Sequence, residues 1–208
     1  MEFLVVTTTH VPESASAHEV DDARRREAAT ARDLAAHGQL LRLWRPLRPD
    51  GQWCALGLFA AQDGSELEAS LAQLVAALPP RFRRSDDVTP LGSHPNDPAG
   101  CGLVGRPGKG PEFLVTMTLT VPPGTPASAV AEACAREAAH ARELAVRGHL
   151  WRLWTLPLGP DGPSTLGLWR ARDPGELMAI LESLPLSGWM TIETSPLGPH
   201  PGDPIRMG

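Results

Sequence analysis

The polar and apolar positions of this chain fall into segments of two distinct periods. Residues 3–11 (FLVVTTTHV) and 113–121 (FLVTMTLTV) are rich in β-branched side chains and are predicted to be strands. Each is followed by a stretch whose apolar residues recur every three or four positions, the mark of an amphipathic helix. In the first, Ser16 is the expected cap and Gly38 the stop; in the second, Thr125 is the expected cap, Pro126 the first helical residue and Gly148 the stop. LLRLWR (40–45) and LWRLWT (150–155) predict short second strands, each followed by a PDG turn, and residues 53–60 and 164–170 predict third strands. Leu67, Leu71, Leu74, Val75 and Leu78 mark a further helix, as do Leu177, Ile180, Leu181 and Leu184. A last strand fits 189–194 (WMTIET) well and 83–88 (RRSDDV) poorly.

These segments are two copies of one pattern. EFLVVTTTHVP (2–12) returns as EFLVTMTLTVP (112–122), and REAATARDLAAHGQLLRLW (26–44) as REAAHARELAVRGHLWRLW (136–154), at a constant offset of 110 positions. After four extra residues in the first copy, TPLGSHPNDP (89–98) matches SPLGPHPGDP (195–204). Repeat 1 therefore spans residues 1–98 and repeat 2 residues 112–208, joined by a Gly/Pro-rich connector at 99–111. The order βαββαβ is that of the ferredoxin-like unit. One such unit leaves a sheet face without helices, so two in tandem are expected to bury those faces together. The fold class is α+β, two ferredoxin-like units forming an intramolecular dimeric α+β barrel, with roofed cavities between sheet and helices.

Composition narrows the chemistry. Of 208 residues, 42% are hydrophobic, and no apolar run approaches the roughly 18 residues that cross a bilayer. The N-terminus has no basic region preceding an apolar one, so a secretory signal is not expected. A net charge of −5 without a basic stripe argues against nucleic acid. There is no Tyr and only one Lys, Lys109, which removes phenolic acids and makes a Schiff-base mechanism unattractive. Cys54, Cys101 and Cys134 lack ligand spacing and are expected to be free thiols of a reducing cytoplasm. No HxxxH, CxxC or GxSxG arrangement occurs, and the connector's GLVGRPGKG lacks the spacing and context of a phosphate loop. Neither a metal nor a cofactor is expected.

The first helix of each copy carries the candidate chemistry. Its inward stripe is Val20, Ala23, Glu27, Ala31 and Leu34, or Val130, Ala133 or Cys134, Glu137, Ala141 and Leu144. One glutamate at the same place in each otherwise apolar stripe must be paired, protonated or functional. Burial raises its pKa toward neutrality, which suits a group that takes and returns a proton. The structural alternative is an ion pair to a sheet arginine such as Arg42 or Arg152. His140 follows Glu137 by one helical turn and is either a half-exposed surface histidine or part of the site's rim. Arg42 and Trp44, like Arg152 and Trp154, share one side of the second strand. If that side faces the cavity they form an anion clamp with an aromatic wall; otherwise the tryptophans belong to the core. His94 and His200, in the PLGxHPxDP tails, are expected to sit on ordered segments packed on the neighbouring unit, with lining of the site as the lesser alternative.

The run EFLVTMTLTVP, the Arg-Glu helix, RGHLWRLW and LPLSGWMTIETSPLGPHP closely resemble the muconolactone Δ-isomerase family, over about nine-tenths of the chain. The resemblance is stronger in the second copy, because LPPRFRRSDDV replaces the family's ending in the first. It implies ferredoxin-like subunits paired into α+β barrels that assemble further, and a cofactor-independent shift of a carbon–carbon double bond in an unsaturated lactone during aromatic degradation. It also implies that Glu27 and Glu137 carry the proton, while Arg42 and Arg152 are the candidates to steady the enolate oxygen. The stretches PLRPDGQWCALG and PLGPDGPSTLG lack the Tyr and His common there in the family. The expected function is thus an isomerase moving a proton in a small lactone or related carbonyl acid. A cyclase of secondary metabolism and a non-catalytic binding or assembly module are the alternatives. The module reading requires each glutamate to be satisfied by an arginine with no cavity beside it.

Overall fold

The computed structural model describes residues 1–47, 53–100, 110–160 and 162–206. Most of the connector, with Lys109 and Cys101, and the whole first PDG turn lie outside the described residues, as does Asp161 of the second. Eight antiparallel strands and four α-helices make an α+β structure among the described residues. The chain divides into two compact units, Met1–Leu91 with Gly198–Gly208, and Gly92–Leu197.

In unit 1 the strands β1 (Glu2–His10), β2 (Leu40–Pro46), β3 (Trp53–Ala60) and β4 (Arg83–Ser93) alternate with helices α1 (Ala17–Ala36) and α2 (Gly64–Ala76). β1 pairs with both β3 and β4, and β3 with β2, giving the order β4-β1-β3-β2. Unit 2 repeats this with β5 (Glu112–Leu119), α3 (Ala127–Val146), β6 (Leu150–Thr155), β7 (Ser164–Arg170), α4 (Pro174–Glu182) and β8 (Met190–Pro199), in the order β8-β5-β7-β6. Each unit therefore has the ferredoxin-like βαββαβ arrangement.

Local chemistry accounts for most element ends. Ser16 caps α1 and forms a full capping box with Glu19. Gly38 and Gly148 stop α1 and α3 at φ 72° and 81°, a left-handed conformation that a Cβ disfavours. Thr125 does not cap α3. Its hydroxyl donates instead to the Pro122 carbonyl at 2.7 Å, Pro126 occupies the cap position without a side-chain bond, and the helix begins at Ala127. The tight turn at Pro122–Thr125 takes the hydroxyl before the helix can use it.

Two further features were not legible in advance. β2 and β6 each carry an irregularity, between Leu40 and Arg42 and between Leu150 and Arg152. The extra residue breaks the period of two, so Leu40 and Leu43, like Leu150 and Leu153, both reach the core beneath the helices. RRSDDV also forms a regular strand, pairing Thr9 with Arg84 and Thr7 with Asp86. Its weak β propensity is overridden because Arg84 and Asp86 satisfy each other, Nε to Oδ1 at 2.8 Å.

The compact units cut across the sequence repeats at the tails. The end of repeat 1 (residues 92–98) belongs to unit 2, where Gly92 and Ser93 pair with Thr155 and Trp154 of β6. The end of repeat 2, from Gly198, belongs to unit 1. Each tail folds its His-Pro-x-Asp sequence into one turn. The Asp97 and Asp203 amides donate to the carbonyls of His94 and His200, at 3.0 and 3.1 Å. Proline fixes the second position of the turn. The amides of Asn96 and Gly202 donate to the Nδ1 atoms of the same histidines, at 3.1 and 3.0 Å.

The turn's aspartate anchors the tail. In unit 1, Asp203 accepts from Nε and Nη2 of Arg42, each at 3.0 Å, and from the Leu43 amide at 3.2 Å. In unit 2, Asp97 accepts from Arg152 at 3.2 Å and from the Leu153 amide at 2.9 Å. Each guanidinium also stacks on its neighbouring indole, 4.5 Å from the Trp44 ring centre and 4.7 Å from that of Trp154. The Arg42–Asp203 pair is almost wholly buried, with side-chain exposures of 7% and 1%. Removing one member strands the other charge, which costs about 3–5 kcal/mol. Asp203→Ala is therefore expected to lower the denaturant midpoint of unit 1 substantially, and more than Asp97→Ala lowers that of unit 2, where Arg152 is 22% exposed.

Candidate functional site

Each unit holds a cavity between its sheet and its first helix, and each of these cavities is lined by the helix's glutamate. The inward stripe holds in both copies: Ala23, Ala31 and Leu34, and Ala133, Ala141 and Leu144, are buried, with the glutamate between them. The two cavities differ sharply in size and charge.

The unit 2 cavity is small, about 190 Å³, and mostly apolar. Met117, Leu150, Leu153, Leu184, Leu186 and Met190 form much of its wall. Glu137 accepts a hydrogen bond from the Leu186 amide at 3.0 Å. Burial pushes its pKa above the ordinary carboxylate value, against the Leu186 bond and nearby His140, which pull it down. His94 reaches this cavity from the tail, together with Asn96, Cys134 and Thr165. Trp169 also lines it, and its buried indole N–H has no hydrogen-bond partner.

The unit 1 cavity is about 750 Å³. Glu27 meets Arg84 at 3.3 Å, and Arg84 in turn donates to Asp86 at 2.8 Å and to the Thr7 hydroxyl at 2.9 Å. Burial raises the Glu27 pKa, Arg84 opposes that rise, and Asp86 adds to it. His200 enters from the tail beside Arg45. Burial, aided by Arg45 and opposed by Asp203, lowers its pKa to about 4. His94 is lowered in the same direction by burial.

The structure thus brings Glu27 and Glu137 to the cavities and leaves the other expected site residues outside them. Arg42, Trp44, Arg152 and Trp154 do not line either cavity. The sheet's alternation turns Leu43 and Leu153 toward the helices, so the Arg and Trp side chains point the other way. The guanidiniums bind the tail aspartates, which corrects their expected role as an anion clamp or as partners of the glutamates. His140 lies on the outer flank of α3. Its Nε2 is 2.9 Å from the Ser183 hydroxyl and its Nδ1 3.4 Å from Glu143, so it forms no part of the cavity wall. The residues missed were Arg84 and Trp169, while His94 and His200 take the lesser of their two expected places, in the cavity walls. The tail motif signalled the histidines, since its spacing recurs in both copies. Arg84 carried no signal, because it lies in the segment least like a strand.

Comparison with known proteins gives one family and one fold. The family model described as muconolactone delta-isomerase matches residues 1–97 and 112–203. A curated relative, Muconolactone Delta-isomerase 1 of Acinetobacter lwoffii, is 34% identical over 92 residues, 43% of this chain and 90% of its own length. Among solved structures, the putative chlorite dismutase TA0507 aligns with a TM-score of 0.59 at 14% identity, over 94% of each chain. A heme-binding protein from Thermus thermophilus gives the same TM-score and identity over 94% of this chain and 90% of its own. At such identities the likeness concerns the fold alone.

Heme, which the second of these names, does not fit the cavity-lining histidines. Each Nδ1 accepts a backbone N–H, so the neutral ring holds its proton on Nε2 and has no lone pair left for iron. Among the described residues no group of three His, Cys, Asp or Glu side chains is placed to hold a metal ion. No described helix is long and apolar enough to cross a membrane.

The lowered pKa of His200 makes a pH signature. Between its ordinary value of 6.5 and about 4, the unfolded chain binds a proton that the folded site refuses. Stability from this group is therefore present above about pH 6.5 and lost as pH falls toward 4. His200→Gln is expected to flatten that acid limb in denaturant melts taken from pH 8 to pH 4. An unchanged limb would assign the acid sensitivity to other groups.

Proposed function

The chain belongs to the muconolactone delta-isomerase family, and from that premise we propose that it moves a proton within a small unsaturated lactone or related carbonyl acid, using Glu137 as the carrier. The observation that carries this reading is the Glu137 carboxyl, set in the wall of a small apolar cavity with its pKa raised by burial. A desolvated carboxylate is a stronger base, and once protonated it is still acidic enough to give the proton back.

The step balances without a redox partner. Glu137 removes a proton from the γ-carbon of the α,β-unsaturated carbonyl system, and the C–H electron pair becomes part of a dienolate that is reprotonated at the α-carbon. The double bond relocates as the same carboxyl group returns the proton to another carbon. The negative charge gathers on the carbonyl oxygen and needs a donor in the low-dielectric cavity. With Arg152 held by Asp97, that role falls to groups that line the cavity. Among these the Nε2–H of neutral His94 is the candidate donor.

Glu27 is the counterpart in unit 1, but there Arg84 stabilises the ionised form and weakens it as a base. The small volume at Glu137 favours a single-ring lactone over the polycyclic substrate of a cyclase. A non-catalytic module predicts no cavity at either glutamate, whereas each glutamate lines one.

Several wider expectations remain part of this proposal. Pairing of the two units into an intramolecular α+β barrel is what the family of the two tandem copies suggests. Free Cys54 and Cys134 support a reducing, cytoplasmic setting. Family membership also suggests a small-molecule partner, further homo-oligomers, a role in aromatic degradation and freedom from cofactors.

The test is turnover of an unsaturated γ-lactone carboxylate, followed by NMR in D₂O so that both the double-bond shift and deuterium uptake are read. Glu137→Gln is expected to lower kcat by roughly 10²–10⁴-fold while the circular dichroism stays that of the parent. Glu27→Gln should leave most of the rate. Full activity in Glu137→Gln would remove Glu137 as the proton carrier.

A further inference from the structure

The two cavities began as copies, so the positions at which they differ report what each has come to bind. Thr7, Arg24, Arg45 and Arg84 in unit 1 stand where unit 2 has Met117, Cys134, Thr155 and Met190. Every exchange makes the unit 1 side more polar or adds a positive charge. The unit 1 cavity is lined by Arg24, Arg25, Arg32, Arg45 and Arg84 against a single carboxylate, Glu27. No Lys or Arg lines the unit 2 cavity. This cationic lining belongs to a chain whose net charge is −5, so general composition does not explain it.

The arginines do different jobs. Arg84 is consumed by Glu27, Asp86 and Thr7. Arg25 is bridged to Asp22, and Arg24 lies 3.7 Å from Asp21 with its guanidinium over the Trp53 ring. Arg32 donates through Nε to the Ala28 carbonyl in its own helix, which leaves its terminal nitrogens available. Arg45 acts on His200 by charge, helping to keep that ring neutral. Arg32 and Arg45 are exposed at the cavity, while Ala31, Leu40, Leu43, Phe59 and Leu74 supply an apolar floor.

We propose that the unit 1 cavity is a binding site for an organic carboxylate with a bulky apolar body, its carboxylate held by Arg32 and Arg45 and its body on the floor of Leu43, Phe59 and Leu74. A planar guanidinium matches a carboxylate in two-point geometry, and an apolar floor with few convergent polar groups is the usual make-up of a small-molecule site. At about 750 Å³ the cavity admits a ligand well beyond the reach of the 190 Å³ cavity of unit 2. The duplicated sites have therefore parted: one receives a bulky anion, the other a small single-ring molecule. This inference does not rest on proton transfer by Glu137, because it is read by binding and not by turnover.

The test uses the full chain and isothermal titration with 2-naphthoate, compared with uncharged 2-naphthamide. The expected result is one 2-naphthoate bound per chain, with the amide at least about tenfold weaker, as loss of a charge-assisted hydrogen-bond pair implies. Arg32→Gln/Arg45→Gln is expected to weaken the acid by a similar factor and leave the amide unchanged. Rising salt should weaken the acid and spare the amide. Glu137→Gln should bind the acid as the parent does, whatever it does to turnover. No binding, equal affinity for acid and amide, or undiminished affinity in the double variant would overturn the proposal.

Discussion

The buried pairing of a tail aspartate with a second-strand arginine is the contact on which the rest of the site depends. Asp203 ties the end of the chain to Arg42 and Leu43, and Asp97 ties the end of repeat 1 to Arg152 and Leu153. In each case the aspartate closes a turn whose first residue is a cavity histidine. The ion pair thus sets the histidine's position, and the turn's amide sets its tautomer. Leaving the pair incomplete costs far more than an exposed salt bridge, whose worth is about 0–1 kcal/mol. The tail is for that reason part of the cavity wall and not a loose end.

The same arrangement changes what the arginines are for. Their charge is spent on the tail and their planes on the tryptophans. Strand alternation, which puts Arg42 beside Trp44 and Arg152 beside Trp154, does not by itself reveal the demand of a buried carboxylate for a partner. Here the demand came from Asp97 and Asp203, residues distant in sequence from the strands that hold them. What lines the cavities instead is a neutral imidazole in each unit and, in unit 2, the Trp169 indole.

Duplication lets the two halves be compared as an internal experiment. Fold, tail turn and helix stripe are common to both, so they answer to packing. The cavity linings are not common. Arg84 and Asp86 in β4 replace Met190 and Ile192 in β8, and a charged cluster forms where the other half keeps an apolar wall. The ending of repeat 1 that departs from the family pattern is therefore a working strand with different chemistry on its inner face.

The sequence by itself determined the elements, the repeat and the place of the two glutamates. Each follows from short-range rules: a period of two or of 3.6, a cap such as Ser16, a stop such as Gly38, and a stripe whose faces are fixed by helix geometry. Only the tertiary structure decided the partners of Arg42 and Arg152, the strand at Arg83–Ser93, the irregularities in β2 and β6, and the unit to which each tail belongs. Those outcomes hang on contacts between residues tens to more than a hundred positions apart, where the need of a buried charge for its counterion outweighs local preference.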